Sequence, residues 1–242
     1  MTVSGGDVPN EVTIVSPVVG AAHELKAPLS LIRQLALRLD DTGVTSEQQR
    51  LVHQLTLTTE RALRLTTDMT KAARLQDAMF ALEPLNPEQV CRDIIHELTP
   101  LFEAHGRQIA FGKARRLQSL LLVGNRDLLR RILTNFSDNA LHYTDVGSIV
   151  QLQVTALKKS GRVRIGVRDF GPALSPDMWK TLRRRIGVSA QSVSARPQSS
   201  GLGLYLAGQF AEAMDAEIGV TRHRDGATFY VDLQASQQMS LL

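Results

Sequence analysis

The period of the apolar positions changes once along the chain, and that change divides it. From Val18 the apolar residues fall at Val18, Ala22, Leu25, Leu29, Ile32, Ala36 and Leu39, with spacings that alternate between four and three. This is the seam of a helix packed lengthwise against another. Asp40-Asp41-Thr42-Gly43 interrupts it, and Gly43 suits the C-terminal turn. Ser46 with Gln49 three residues later resembles a capping box for a second helix. That helix repeats the seam through Leu51, Leu55, Thr58, Ala62, Leu65, Met69 and Ala72. A lone pair of helices cannot bury both seams, so the pattern predicts pairing with a second hairpin into a dimeric four-helix bundle.

Near Phe80 the pattern shifts. Ala81 to Gln89 contains two prolines and predicts a short strand or connector. A helix is expected from Pro87 to about Ala104, with Pro87 in its first turn. Gln108 to Phe111 and Leu120 to Val123 look like strands. Asn125 to Tyr143 has helical periodicity through Leu128, Leu129, Ile132, Leu133, Phe136 and Ala140. Ile149 to Leu157 and Val163 to Val167 alternate apolar with polar residues, which predicts neighbouring strands joined near Lys159-Ser160-Gly161. Trp179 to Pro197 is basic and then rich in Ser and Gln, and is expected to be a mobile loop. A helix over Gly201 to Met214 and strands at Glu217 to Thr221 and Ala227 to Leu233 complete the pattern. The expected architecture is a short tail over 1–11, an antiparallel helical hairpin over 12–79 and an α/β sandwich over 80–236.

Composition narrows the function classes. Apolar residues are 43% and charged residues 21% of the 242, as in a soluble globular protein. The formal charge of +4 is too slight to predict nucleic-acid or membrane binding. A single cysteine, Cys91, excludes an internal disulfide and suits a reducing compartment, with a buried inert thiol as the expectation. There is no apolar run of about 18 residues and no basic segment leading into an apolar one at the N-terminus, so neither a spanning helix nor a secretory signal is expected.

Four stretches carry candidate chemistry. In Ala22-His23-Glu24-Leu25-Lys26-Ala27-Pro28-Leu29, His23 follows a seam position and should project from the bundle. Pro28 inside a helix costs roughly 3 kcal/mol and loosens it near that histidine. Glu24 stands beside His23, where it could accept the imidazole proton while the other nitrogen attacks phosphorus. Asn135 and Asn139 are four apart on one helical face, and carboxamide oxygens can ligate Mg²⁺. Arg168-Asp169-Phe170-Gly171 follows a strand; a carboxylate there can accept the amine of adenine, and Gly171 permits close approach. Ser199-Ser200-Gly201-Leu202-Gly203-Leu204 precedes a helix, whose free N–H groups suit phosphate. Singly, each stretch also fits an ordinary surface pair, solvated amides, an Asp-Gly turn or a glycine-rich turn.

In this order and at these separations, the four stretches closely resemble the core of bacterial sensor histidine kinases. His-Glu-Leu-Lys-Ala-Pro-Leu is similar to the H box, Asn135 to Tyr143 to the N box, Asp169-Phe-Gly to the first glycine box and Ser200-Gly-Leu-Gly-Leu to the second. The resemblance covers Val18 to Leu233 and implies a dimeric hairpin bundle followed by a Bergerat-type ATP-binding α/β domain. It implies ATP and Mg²⁺ as cofactors, a homodimer, and a response regulator receiver domain as partner. It places the chain in the cytoplasm, as a soluble kinase recruited by a partner or as part of a longer sensor. By this resemblance His23 is the phospho-acceptor and Glu24 its base. Asn139 holds Mg²⁺, with Asn135 nearby. Tyr143 lies against adenine, Asp169 reads its amine, and Gly171 lets the backbone approach. Ser200, Gly201, Leu202, Gly203 and Leu204 border the phosphates, below a lid over Trp179 to Ser200. The sequence departs from the family at His142, where a lysine or arginine is usual, at Ala173 and Ser199, where glycine is usual, and at Ala27, where a polar residue is common. These departures motivate an alternative, a catalytically weak kinase-like dimeric scaffold.

Overall fold

The computed structural model describes residues 17–40, 45–73, 75, 80–112, 120–187 and 202–237. By contact the chain divides after Ala73 into two compact units, which are considered separately.

The first unit is a helical hairpin of α1 (Pro17–Asp40) and α2 (Ser46–Ala72). The cap of α2 lies one residue earlier than expected. Thr45 is the N-cap: its Oγ1 accepts the Gln48 N–H at 3.4 Å, and Gln48 Oε1 accepts the Thr45 N–H at 2.9 Å. Thr45 and Ser46 each have a glutamine three residues on; with Thr45 as cap, its carbonyl accepts from Gln49 N at 2.8 Å and begins the helix one residue sooner.

The seams also split into two faces. Among the described side chains, the buried line holds Ala22 and Ala36 on α1 and Val52, Thr59 and Thr66 on α2, and Asp68 of α2 is buried as well. Small residues on α1 let the helices approach, and the buried hydroxyls are satisfied within α2, Thr59 by Leu55 O and Thr66 by Leu63 O, each at 2.8 Å. Thr58, expected on the seam, is exposed, and its neighbour Thr59 is buried instead. Leu25, Ile32, Leu39, Leu51 and Leu55 are 39–54% exposed.

The second unit runs β1 (Glu83–Leu85), α3 (Pro87–Ala104), β2 (Gln108–Phe111), β3 (Leu122–Gly124), α4 (Arg126–Tyr143), β4 (Ile149–Leu157), β5 (Arg162–Arg168), α5 (Pro176–Arg185), α6 (Leu202–Glu212), β6 (Glu217–His223) and β7 (Gly226–Gln234). β1 and β3 form an antiparallel pair, and the other five strands form a sheet in the order β2-β4-β5-β7-β6. Only β2–β4 is parallel within that sheet. Strand alternation gives the sheet one apolar face, with Leu152, Val163, Ile165, Phe229, Val231 and Leu233 buried beneath α3, α4 and α6. Phe136 of α4 meets Phe229 at a centroid distance of 5.9 Å. The opposite face is polar: Arg164 makes two 2.7 Å hydrogen bonds to Asp232 and lies 3.5 Å over the Tyr230 ring.

The expected loop from Trp179 is in part helix. Ser175 caps α5, its Oγ accepting from Met178 N at 3.2 Å, and Pro176 stands in the first turn. Trp179 and Leu182, three residues apart, form its short apolar stripe, which the surrounding basic residues hid from a periodicity reading. The rest of that segment, 188–200, lies outside the described residues.

Candidate functional site

The site grows from a helix that is buried almost throughout. Asn125 caps α4 by accepting from Leu128 N at 3.1 Å, and every residue from Ile132 to Leu141 is buried. Polar side chains on such a helix need partners. Asn135 Nδ2, Asn139 Nδ2 and Ser137 Oγ are screened from solvent and have none. An unmatched buried donor costs about 1–3 kcal/mol, so two such amides one turn apart fit a ligand that supplies acceptors. Turning either carboxamide by half a revolution presents its oxygen instead, the donor type Mg²⁺ takes. No group of three His, Cys, Asp or Glu among the described residues could form a protein-only metal cage. Oxygen donors shared with phosphate and water therefore fit this chain better.

Asn135 faces the start of α6: a Cβ added to Gly203 would lie 3.4 Å from Asn135 Oδ1. Leu202, Gly203 and Leu204 form the first turn of α6, the positive end of that helix's dipole. Ser200 and Gly201 lie outside the described residues. In the last turn of α4, Tyr143 is half-buried and His142 exposed.

The second group of contacts is built around Asp169. It is 4% exposed at the end of β5, and its Oδ1 accepts two backbone N–H groups, from Gly171 and Ala227, each at 3.2 Å. Its Oδ2 makes no hydrogen bond among the described residues. Burial pushes the carboxyl above the ordinary range, against the lowering effect of those N–H groups and of Arg168. Two glycines allow the loops to close around it. A Cβ on Gly171 would overlap the Tyr143 carbonyl, and one on Gly226 would overlap Asp169. Gly226 also has φ of 125°, which an L side chain rarely adopts.

Two positioning residues were not legible in the sequence. Arg168 is buried, donates to Asp225 Oδ1 at 2.6 Å and to the Asp169 carbonyl, and lies 4.3 Å from the Phe170 ring centroid. It fastens the β6–β7 turn behind Asp169. Arg107 donates from Nε and Nη2 to Thr144 O at 2.9 and 2.6 Å and from Nη1 to His105 O at 2.9 Å, holding the end of α4 next to Tyr143. The Asp225-Gly226 turn was a visible signal for the first; nothing in the local sequence marks the second.

Close approaches thus join Asn135 to Gly203, and Gly171 to Tyr143 and Asp169, while Asn139 lies one turn from Asn135 on α4. His23 lies on α1 of the other unit, and the side chains of His23 and Glu24 lie outside the described residues. Cys91 is buried, with its thiol pushed up to about 12, which leaves it inert. No described helix is long and apolar enough to cross a membrane.

Residues 124–237 match the family described as histidine kinase-, DNA gyrase B-, and HSP90-like ATPase. The chain is 28% identical over 221 residues to the histidine protein kinase SaeS of Staphylococcus epidermidis, covering 89% of this chain and 62% of SaeS. It is 27% identical over 223 residues to the sensor histidine kinase AruS of Pseudomonas aeruginosa, covering 88% of this chain and 22% of AruS. The crystal structure of full-length ShkA in complex with AMPPNP superposes at a TM-score of 0.66, with 28% identity, over 94% of this chain and 47% of ShkA. The catalytic domain of the histidine kinase ThkA, at 17% identity and a TM-score of 0.53, shares the fold over 64% of this chain and 96% of that domain. Residues 124–237 thus form an ATPase domain of that family, and most of the chain's length is similar to proteins named sensor histidine kinases.

Proposed function

We propose that this chain is an ATP-dependent protein-histidine kinase that phosphorylates its own His23 and passes the phosphoryl group to an aspartate of a response regulator. The observation that carries this is Asp169, a buried carboxylate with one oxygen occupied by two N–H groups and the other without a hydrogen bond among the described residues, in the same unit as two unmatched asparagine amides. ShkA in complex with AMPPNP supports a nucleotide in the corresponding domain.

Asp169 Oδ2 would accept the N–H of the adenine amine, with Tyr143 against the ring. The first-turn N–H groups of α6, Asn135 and His142 would meet the phosphates, and Asn139 would hold Mg²⁺. Mg²⁺ supplies charge neutralisation between phosphate oxygens. A ring nitrogen of His23 attacks the γ-phosphorus, so that one N–P bond forms as the P–O bond to the departing ADP breaks. Glu24 accepts the proton from the other ring nitrogen. The remaining work is positioning, which can contribute about 7–11 kcal/mol to such a step. The exposed leucines of the hairpin support a homodimer as the working form.

Replacing His23 with Gln tests the acceptor. With labelled ATP, the variant is expected to lose the acid-labile, alkali-stable label while keeping its affinity for nucleotide. Label that persists in this variant would place the acceptor elsewhere, and absence of nucleotide binding by the unaltered chain would leave only the scaffold alternative.

A further inference from the structure

The edge of the sheet at β6 carries a second concavity. α5 lies along this strand, with the Trp179 indole N–H donating to Val220 O at 3.4 Å. Between them runs an open groove of about 780 Å³, lined among others by Trp179, Arg183, Arg222, His223, Arg224 and Tyr230. Its charge is one-sided. Arg222 uses Nε on Leu174 O at 2.6 Å and pairs with no acid among the described residues. Arg183 contacts only the Trp179 ring, at 5.6 Å, and Arg224 makes no hydrogen bond or ion pair among the described residues. The one acid of the lining, Asp225, is already neutralised by Arg168. His223 adds no charge at neutral pH, because burial and the nearby Arg168 hold its pKa below the usual value.

The same sheet shows what arginines do when their role is structural. Arg162 pairs with Glu217 at 2.9 Å, Arg164 with Asp232 at 2.7 Å and Arg168 with Asp225 at 2.6 Å. The three groove arginines have no such acids, although they share one concavity that focuses their field. Guanidinium groups match phosphate oxygens bidentately, and the volume falls within the roughly 300–1,000 Å³ of small-molecule sites. We propose that this groove binds a small molecule bearing adjacent phosphate groups, of nucleotide size, at a site separate from the Asp169 recess. Arg183, Arg222 and Arg224 take the phosphates, and the Trp179 indole takes an apolar or planar remainder. The two sites meet at Asp225, which lines the groove while holding Arg168 behind Asp169.

Trp179 is the only tryptophan of the chain, so its emission reports on the groove directly. The full chain and an Asp169→Asn variant are titrated with pyrophosphate, GDP and hexaglutamate. Pyrophosphate and GDP are expected to change Trp179 emission with a Kd of about 1 mM or tighter. Both responses should survive Asp169→Asn, fall at high salt, and weaken at least about tenfold in an Arg183→Ala/Arg224→Ala double variant. Equal binding of the two ligands puts recognition in the phosphates alone, and tighter GDP adds the indole. Arg224→Ala alone, which removes no hydrogen bond or ion pair among the described residues, covers the case in which the double variant fails to fold. An unchanged emission at millimolar ligand overturns the proposal, as does a response untouched by the arginine substitutions. So does loss of the response in Asp169→Asn, which would put the ligand in the recess. Hexaglutamate binding tighter than either phosphate ligand would make the groove a dock for an acidic protein and overturn it as well.

Discussion

At Asp169, desolvation raises the carboxyl pKa more than the Gly171 and Ala227 N–H groups and Arg168 lower it. The folded state therefore holds a proton to higher pH than the unfolded chain does. Between the two values it binds more protons, so this residue's contribution to stability falls as pH rises through that window. On the proposed function nucleotide affinity runs the other way, since protonation removes the charge that strengthens acceptance from the adenine amine. Calorimetric ADP affinity is expected to decline on acidification from above the ordinary carboxylate range. The Asp169→Asn variant should lose that dependence and bind at least about tenfold more weakly at neutral pH, because a hydrogen bond to a charged acceptor is worth about 1.5–3 kcal/mol. Affinity that is unchanged in the variant would remove Asp169 from the adenine site.

At the level of elements, the cap of α2 offers a direct discrimination. Thr45→Ala should lower stability by about 1 kcal/mol in urea unfolding, whereas Ser46→Ala should stay within a few tenths, because only Thr45 closes the box. Equal effects would return the cap to Ser46. α3, α4 and the strands β4, β5 and β7 were legible because each shows its period over many residues. α5 was not, because ten residues with one short apolar stripe resemble a basic loop. On α1 the seam positions Ala22 and Ala36 are buried as expected, but the inner line of α2 was misassigned, for a different reason. Thr59 and Thr66 are buried by bonding their hydroxyls to carbonyls of their own helix, which a count of apolar residues cannot register. Among the proposed site residues, Asn135, Asn139 and Asp169 were named from spacing and neighbours, and the structure finds all three buried. Arg107 and Arg168 could not, since each acts on carbonyls distant in sequence: Arg107 on Thr144 O, Arg168 on Asp225 O at 3.3 Å.

On the scale of the whole molecule, the uncovered face of the hairpin is the feature that asks for a partner. Leu25, Ile32, Leu39, Leu51 and Leu55 leave more apolar surface in water than a folded hairpin needs to, and a second copy can cover it. Ile32→Lys combined with Leu51→Lys is expected to convert a dimer to a monomer in sedimentation velocity, with ADP affinity of the second unit unchanged. A dimer that survives both substitutions would place the interface elsewhere. The sheet order has a different consequence, for the chain as it is made. β5, which ends at Asp169, pairs with β7, and Ala227 of β7 gives Asp169 one of its two N–H groups, yet β7 is the last strand in chain order. During synthesis the hairpin bearing His23 emerges before the second unit, while the surroundings of Asp169 stay unfinished until β7 is released. On the proposed function the acceptor is thus made before the donor site, and a chain lacking β7 is not expected to bind ATP. A chain stopped before Gly226 should retain the helical hairpin by circular dichroism but show no ADP binding. Binding by such a fragment would mean that Asp169 is held without its β7 partner.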